Sequence, residues 1–553
     1  MSDHVFSLAP TLNAPRSTFK RPFQLKTTID VDYLYPIYCD EVLPGDTVKF
    51  KFSLFGRLST PIVPIMDRLY LDTFFFAVPI RLIDKNWEKL QGARPFGDTN
   101  DVVVAPMLKT PAKASGTEGP DPNWIVPMDL SDYIGIPPNV PNLEFSPYWH
   151  RAYNLIWNEW FRPEYICPAV PVAGVHEDGT VTEEQISDYK LLKRGKRLDA
   201  FTGCNPFPQV GNAVEIPLGG SAPVVGNGMN LGLTDGNKLT GLGVSGSDYL
   251  ITGLPNAQMP KVGSGYNNNQ IGVSYQLVGL TKDAANSGVV ADLSSASAIT
   301  INQLRNAFAT QQYFEALARG GSRYIEILRS IFNVISPDAR MQRPEYLGGS
   351  SDIVDVTTVA QTSSTDSTSP QGNLSAFCTV SSEGFFSKSF TEHCVIIGLA
   401  NVRADLAYQQ GLPRMFSRKT RFDWYLPQFA NVGEVAVLNK ELYAQGDKVL
   451  AADNTPVDDG VFGYQEAWYE YRYHPDMITG KFRSTDPQSL DYWHLAQKFD
   501  GLPKLDEDFV LEKVPIDRCL AVADEPAVIL SGAFDSVWSR PMPLYSVPGL
   551  SRL

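Results

Sequence analysis

Val48, Phe50, Phe52 and Leu54 alternate strictly with Lys49, Lys51 and Ser53. That period of two commits the segment to a strand with one face buried and the other in water. Leu69–Pro79 (LYLDTFFFAVP) is apolar almost throughout and reads as a second, more deeply buried strand. Pro44-Gly45-Asp46 is a turn between extended segments. Ile353–Val359 and Cys394–Val402 are β-branched, apolar runs, and Leu520–Leu530 (LAVADEPAVIL) reads as the last strand, ahead of an extended, proline-studded tail. Between about residues 80 and 350 strand signals are sparse. With 43 Gly, 41 Pro and 11% aromatic residues, the chain has the composition of short strands joined by long loops. Strands gathered toward both ends with long excursions between them predict a mainly β chain, an eight-stranded antiparallel jelly roll whose connections have grown.

Residues 300–349 (TINQLRNAFATQQYFEALARGGSRYIEILRSIFNVISPDARMQRPEYLGGS) read as two helices. Thr300 and Gln303 have capping-box spacing, with Ile301, Leu304 and Phe308 on one face. Gly320-Gly321 ends the first helix and Ser322 is placed to cap the second, where Tyr324, Ile327, Leu328 and Ile331 form an apolar stripe. Leu155–Trp160 belongs to a short helix ending before Pro163.

The residues of the helical pair resemble the major capsid protein of the gokushoviruses, small single-stranded DNA bacteriophages of the microvirus family. RSTFKRPFQLKTTIDVDYLYPIYCDEVLPGDT (Arg16–Thr47), RAYNLIWNEWFR (Arg151–Arg162), RMFSRKTRFDWY (Arg414–Tyr425) and FGYQEAWYEYRY (Phe462–Tyr473) resemble further blocks of that family, in the family's order. The chain departs from it near 219–296 and in FTGCNPFPQVG (Phe201–Gly211). The resemblance implies a viral capsid β-barrel that closes into the smallest icosahedral shell, of sixty copies, around a circular single-stranded DNA genome. It also implies a small basic DNA-binding virion protein, pilot or scaffolding proteins and a host-cell receptor as partners. An insertion projecting at the threefold axes is expected to meet the receptor.

The expected organisation is an N-terminal arm (1–20), the first strands and the start of a long loop (21–218), a Gly-rich insertion (219–296), the helical pair with further strands (297–410), a second long loop (411–515), and the last strand with the tail (516–553). Residues 219–288 hold 15 glycines and no Arg, Phe or Trp, and their three Lys are balanced by three Asp. Such a segment adds little to a core. Its recurring Leu, Val and Ile suit short strands in an exposed module.

Charge and chemistry exclude more than they suggest. A formal net charge of −14 argues against wholesale coating of nucleic acid. Only 20% of residues are charged, which leaves much surface to bury against neighbouring copies. The six cysteines are far apart with no CxxC pair and read as buried thiols. No signal-peptide pattern opens the chain, and its longest apolar run is too short to enter a membrane, so assembly in the host cytoplasm and residence in the virion are expected. The histidines lack metal spacing, Asp453, Asp458 and Asp459 lack that of a calcium hand, and no phosphate loop or GxSxG is present. Catalytic, cofactor and metal residues are therefore expected to be none. Glu159 between Trp157 and Trp160 suggests a second reading, a β-rich carbohydrate-binding or carbohydrate-active surface protein. Sugar cleavage needs a facing carboxylate, and nothing in the sequence pairs Glu159 with Glu466.

Two basic clusters stand out against the acidic background: Lys193, Arg194, Lys196 and Arg197, and Arg414, Arg418, Lys419 and Arg421. Each reads either as salt-bridged surface or as contact with packaged single-stranded DNA. In the second case Phe416, Phe422, Trp424 and Tyr425 would stack on bases.

Overall fold

The computed structural model describes residues 15–94, 103–112, 124–175, 182–212, 214, 301–365, 370–450, 454 and 456–545, together with short strand segments between 224 and 291. Residues 15–210 and 315–545 belong to one compact unit. Ten strands organise it: β1 (Ser17–Lys20), β2 (Phe23–Ile29), β3 (Tyr35–Val42), β4 (Thr47–Leu58), β5 (Leu69–Pro79), β6 (Glu345–Ile353), β7 (Asp355–Ala360), β8 (Leu374–Ser389), β9 (Cys394–Ala404) and β10 (Val528–Arg540). Every pairing among them is antiparallel. One sheet runs β2-β10-β4-β8-β7 and the other β3-β9-β5-β6. The quartets β2-β10-β4-β8 and β3-β9-β5-β6 interleave early and late strands, the two-sheet, double Greek-key order of an eight-stranded jelly roll. β1 extends β2 along the same edge of β10, broken at Arg21-Pro22, where proline has no N–H to give to a ladder. The expected arm thus enters the sheet at Ser17, and its residues 1–14 lie outside the described ones.

Burial explains how the strands read. β4 alternates cleanly because one face meets the second sheet and the other faces outward. Phe50 lies 5.2 Å from Phe75 and 4.9 Å from Phe386 between ring centroids, and Phe52 lies 4.8 Å from Phe75. These rings stitch the sheets together. At Gly384 an added Cβ would come within 2.5 Å of the Phe52 ring, so only glycine lets β8 pass. β9, by contrast, is buried at all 11 residues, since its second face is covered too. There Phe76, Val78, Val395, Ile397 and Leu399 pack with Tyr153, Ile156 and Trp157 of the helical segment α1 (Tyr148–Ile156) and the π turn that follows it to Phe161.

Several expectations are corrected in detail. The last strand begins at Val528, not Leu520, and runs on to Arg540 instead of ending at Leu530. Asp524, Glu525 and Pro526 break the pattern ahead of it, and true alternation starts only at buried Val528, Leu530 and Phe534. The Ile353–Val359 run is two strands meeting at Val354, which is buried between them. Within the second long loop, Glu434–Leu438 and Val461–Glu466 form a small antiparallel hairpin.

Helix α2 (Ile301–Gly320) ends where expected, with Gly321 at φ 96°, and α3 spans Tyr324–Phe332. Ser322 does not cap α3: its N–H donates to Glu164 at 2.8 Å and its hydroxyl is held by the same carboxylate. Arg323 takes the cap position instead, its N–H donating to Glu326 at 3.3 Å. Thr300 lies outside the described residues.

Residues 211–314 form a second unit. Its described strands pair as Val224–Gly226 with Val289–Ala291, Leu233–Thr234 with Gly279–Leu280, and Gly243–Ser245 with Leu250–Thr252. The three pairs nest in sequence order. The rest of 219–296 lies outside the described residues. Among the described residues no helix is long and apolar enough to cross a membrane.

Candidate nucleic-acid interface

The first basic cluster is a strip of backbone clamped on both sides. Arg194 N–H donates to Asp32 O at 3.0 Å and Lys196 N–H to Val510 O at 2.8 Å. Glu512 N–H donates back to Arg194 O at 2.8 Å, and Leu34 N–H to Leu192 O at 3.0 Å. Tyr153 of α1 joins in, its hydroxyl accepting from Leu192 N–H at 2.9 Å. The strip is thereby fixed against the second sheet, and most of its cations turn inward.

Arg194 donates to Asp72 Oδ2 at 2.5 Å, and Arg403 donates to the same oxygen at 2.7 Å. Asp72 and Arg403 are almost completely buried. Burial alone would raise the Asp72 carboxyl, but hydrogen bonds from Ser351, Arg194 and Arg403 hold it below the usual range. Lys193 sits 3.5 Å from Asp32 and over the Tyr33 ring. Lys196 is buried, donates to Gln497 at 3.1 Å, and is pushed down to about 8 by desolvation against the pull of Glu512 and Asp199. Facing them, burial and then Asp32 push Glu512 up to about 7, while Arg194, Lys196 and Arg403 pull it down. Of this cluster only Arg197 is exposed.

The second cluster divides in the same way. Arg414 sits 3.5 Å from Glu441, and Arg418 sits 3.4 Å from Glu470 with its guanidinium 4.6 Å from the Tyr471 ring centroid. Lys419 and Arg421 are exposed, on a turn whose Thr420 and Lys419 N–H groups donate to Asp423 at 2.6 and 2.7 Å. Around them Phe416, Phe422, Trp424 and Tyr425 are all exposed. Tyr425 meets Trp468 edge-on at 5.6 Å, which carries the aromatic surface across to the chain just after the Val461–Glu466 strand. Five of the eight sequence-selected cations therefore hold loops in place, and Arg197, Lys419 and Arg421 face solvent. Sequence reasoning missed Asp72, Arg403 and Glu512, which bind or face the first strip from far along the chain; a buried position flanked by apolar residues, as Asp72 is in LYLDTFFF, was the available signal.

Glu466, the partner that sugar cleavage would ask of Glu159, is ion-paired to Arg472. Asp458 accepts the N–H groups of Gln445 and Gly446 at 2.8 Å, Asp459 pairs with Lys440 at 2.7 Å, and Asp453 lies outside the described residues. Among the described residues no group of three His, Cys, Asp or Glu is gathered to hold a metal.

A model of the family described as capsid protein (F protein) matches residues 7–550. The chain is 42% identical to capsid protein VP1 of Bdellovibrio phage phiMH2K, over 99% of this chain and 98% of that one. It is 41% identical to capsid protein VP1 of Chlamydia phage 1 over the same shares, and 36% identical to capsid protein VP1 of Spiroplasma virus 4 over 100% and 98%.

Proposed function

Because the chain belongs to the capsid protein (F protein) family, as a structural major capsid protein and not an enzyme, we propose the following account of how it builds and fills its shell. Sixty copies close under icosahedral symmetry, each presenting several different surfaces to its neighbours. One observation carries this reading: a jelly-roll core with both sheets satisfied is combined with exposed apolar side chains on its long excursions. Phe332, Val334, Ile335, Phe416, Phe422 and Met477 are all exposed in the isolated chain, and such residues are normally covered by a partner. Electron microscopy of the purified protein tests it, with closed particles expected. Monodisperse monomer at high concentration, with the other virion proteins supplied, would overturn it.

Packaged single-stranded DNA is contacted by Arg197, Lys419 and Arg421, while Lys193, Arg194, Lys196, Arg414 and Arg418 hold the loops that present them. An acidic chain leaves most phosphate neutralisation to a separate small basic virion protein. Pilot or scaffolding proteins take part in assembly. The 219–296 segment projects outward, at the threefold axes, to meet a host receptor; its weakly charged, glycine-rich composition and nested strand pairs support a protruding ribbon over a core element.

A further inference from the structure

A cavity of about 430 Å³ opens where β5, the π turn after α1 and the 194–198 strip approach the start of β6. Its size falls within the roughly 300–1,000 Å³ of ligand-binding clefts. Phe74, Trp160, Phe161 and Tyr346 line it together with Arg194 and Arg197, of which Arg197 is exposed. The rings are braced against one another: Phe74 and Phe161 meet edge-on at 5.1 Å, and Trp160 and Tyr346 lie 5.9 Å apart. Arg194 lies over Phe74, 5.1 Å from the ring centroid, and its bond to Asp72 fixes it there. At Gly195 a Cβ would come within 2.6 Å of Phe161 O, so glycine lets the strip pass close against the wall.

The lining contains four Arg or Lys side chains and no Asp or Glu. The two neighbouring cavities along the same strip are different, since Asp506 and Asp508 line both. In a chain with formal charge −14, an aromatic cleft lined by no carboxylate and carrying the exposed Arg197 suits an anion with a flat ring. A basic peptide would meet like charge there.

We infer that this cleft takes an unpaired base of single-stranded nucleic acid, its ring against the aromatic walls and its phosphate at Arg197. The inference rests on the DNA-contacting reading above and adds a base-holding site to it. Tyr346, which is 41% exposed, is the wall a base would cover on entry.

The test uses assembled particles whose genome carries 5-bromodeoxyuridine, irradiated, digested and mapped by mass spectrometry. Cross-links are expected on the peptides bearing Trp160–Phe161 and Tyr346. Tyr346→Leu should lower the yield at Trp160–Phe161 by ~10-fold, the scale of losing one stacked base, and leave cross-links at 419–425 unchanged. If Tyr346→Leu does not assemble, Arg197→Ser reads the same loss through the phosphate. Cross-links confined to 419–425 would uphold DNA contact and remove the cleft from it. Their absence from the whole chain would overturn both readings. A peptide of another virion protein captured in the cleft would assign it to that partner and overturn the inference.

Discussion

Asp72 decides whether the first basic strip is a clamp or a liability. It is 3% exposed and accepts from both Arg194 and Arg403, themselves buried or nearly so. Asp72→Asn would strand two guanidinium groups in the interior, so a loss of ~3–5 kcal/mol is expected in urea unfolding of the unassembled protein. A loss under about 1 kcal/mol would show the pairs to be solvated. Glu512 supplies a pH test. Its carboxyl is raised from 4.5 to about 7 in the folded chain, so its stabilising contribution is full below the unfolded value and is lost as pH rises through 7. Relative to Glu512→Gln, the wild type should lose about 3 kcal/mol of unfolding free energy between pH 4.5 and 7.5. Parallel pH profiles for the two proteins would sink this assignment. None of these pairings was legible in the sequence, because Asp72 stands 122 residues from Arg194 and 331 from Arg403. The sequence shows that a charge is surrounded by Leu, Thr and Phe, but not which distant charge meets it.

At the scale of elements, legibility followed the contrast between the two faces of a strand. β4, β5 and β9 could be read because their buried positions are Val, Ile, Leu and Phe. β8 is the longest strand among the described residues, at 16, yet nothing marked it. Its inward positions include Ala376, Cys378, Ser382 and Gly384, while Phe377 and Phe385 face outward, so the hydrophobic alternation is inverted where it is strongest. β3 was hidden by Pro36, Asp40 and Glu41 within its span. The basic loops were legible as clusters, but their division into inward and exposed cations depends on Glu441, Glu470 and Asp72. β10 is anchored by Trp538, fully buried, bonded to Ser536 at 2.8 Å and flanked by the guanidinium groups of Arg21 and Arg540. Trp538→Ala should cost ~3–5 kcal/mol, read as a lower urea midpoint at unchanged m. An unshifted midpoint would mean that the cavity collapses without loss.

For the whole molecule, two outcomes separate shell building from shell decoration. Replacing 219–296 by a short Gly-Ser linker should leave particles intact and abolish adsorption to host cells; folded protein that no longer closes shells would make the segment an assembly element. Substituting Arg197, Lys419 and Arg421 together by Ser should flatten the salt dependence of single-stranded DNA binding by about 2 in the log–log slope, since each phosphate contact contributes roughly 0.7. An unchanged slope would remove all three from the interface. β10, finally, pairs on one edge with β1 and β2 and on the other with β4, yet it occupies residues 528–540 of 553. Without it β1 and β2 lose their partner in the sheet and one flank of β4 lies open, so this wall of the barrel is closed by pairing segments about five hundred residues apart.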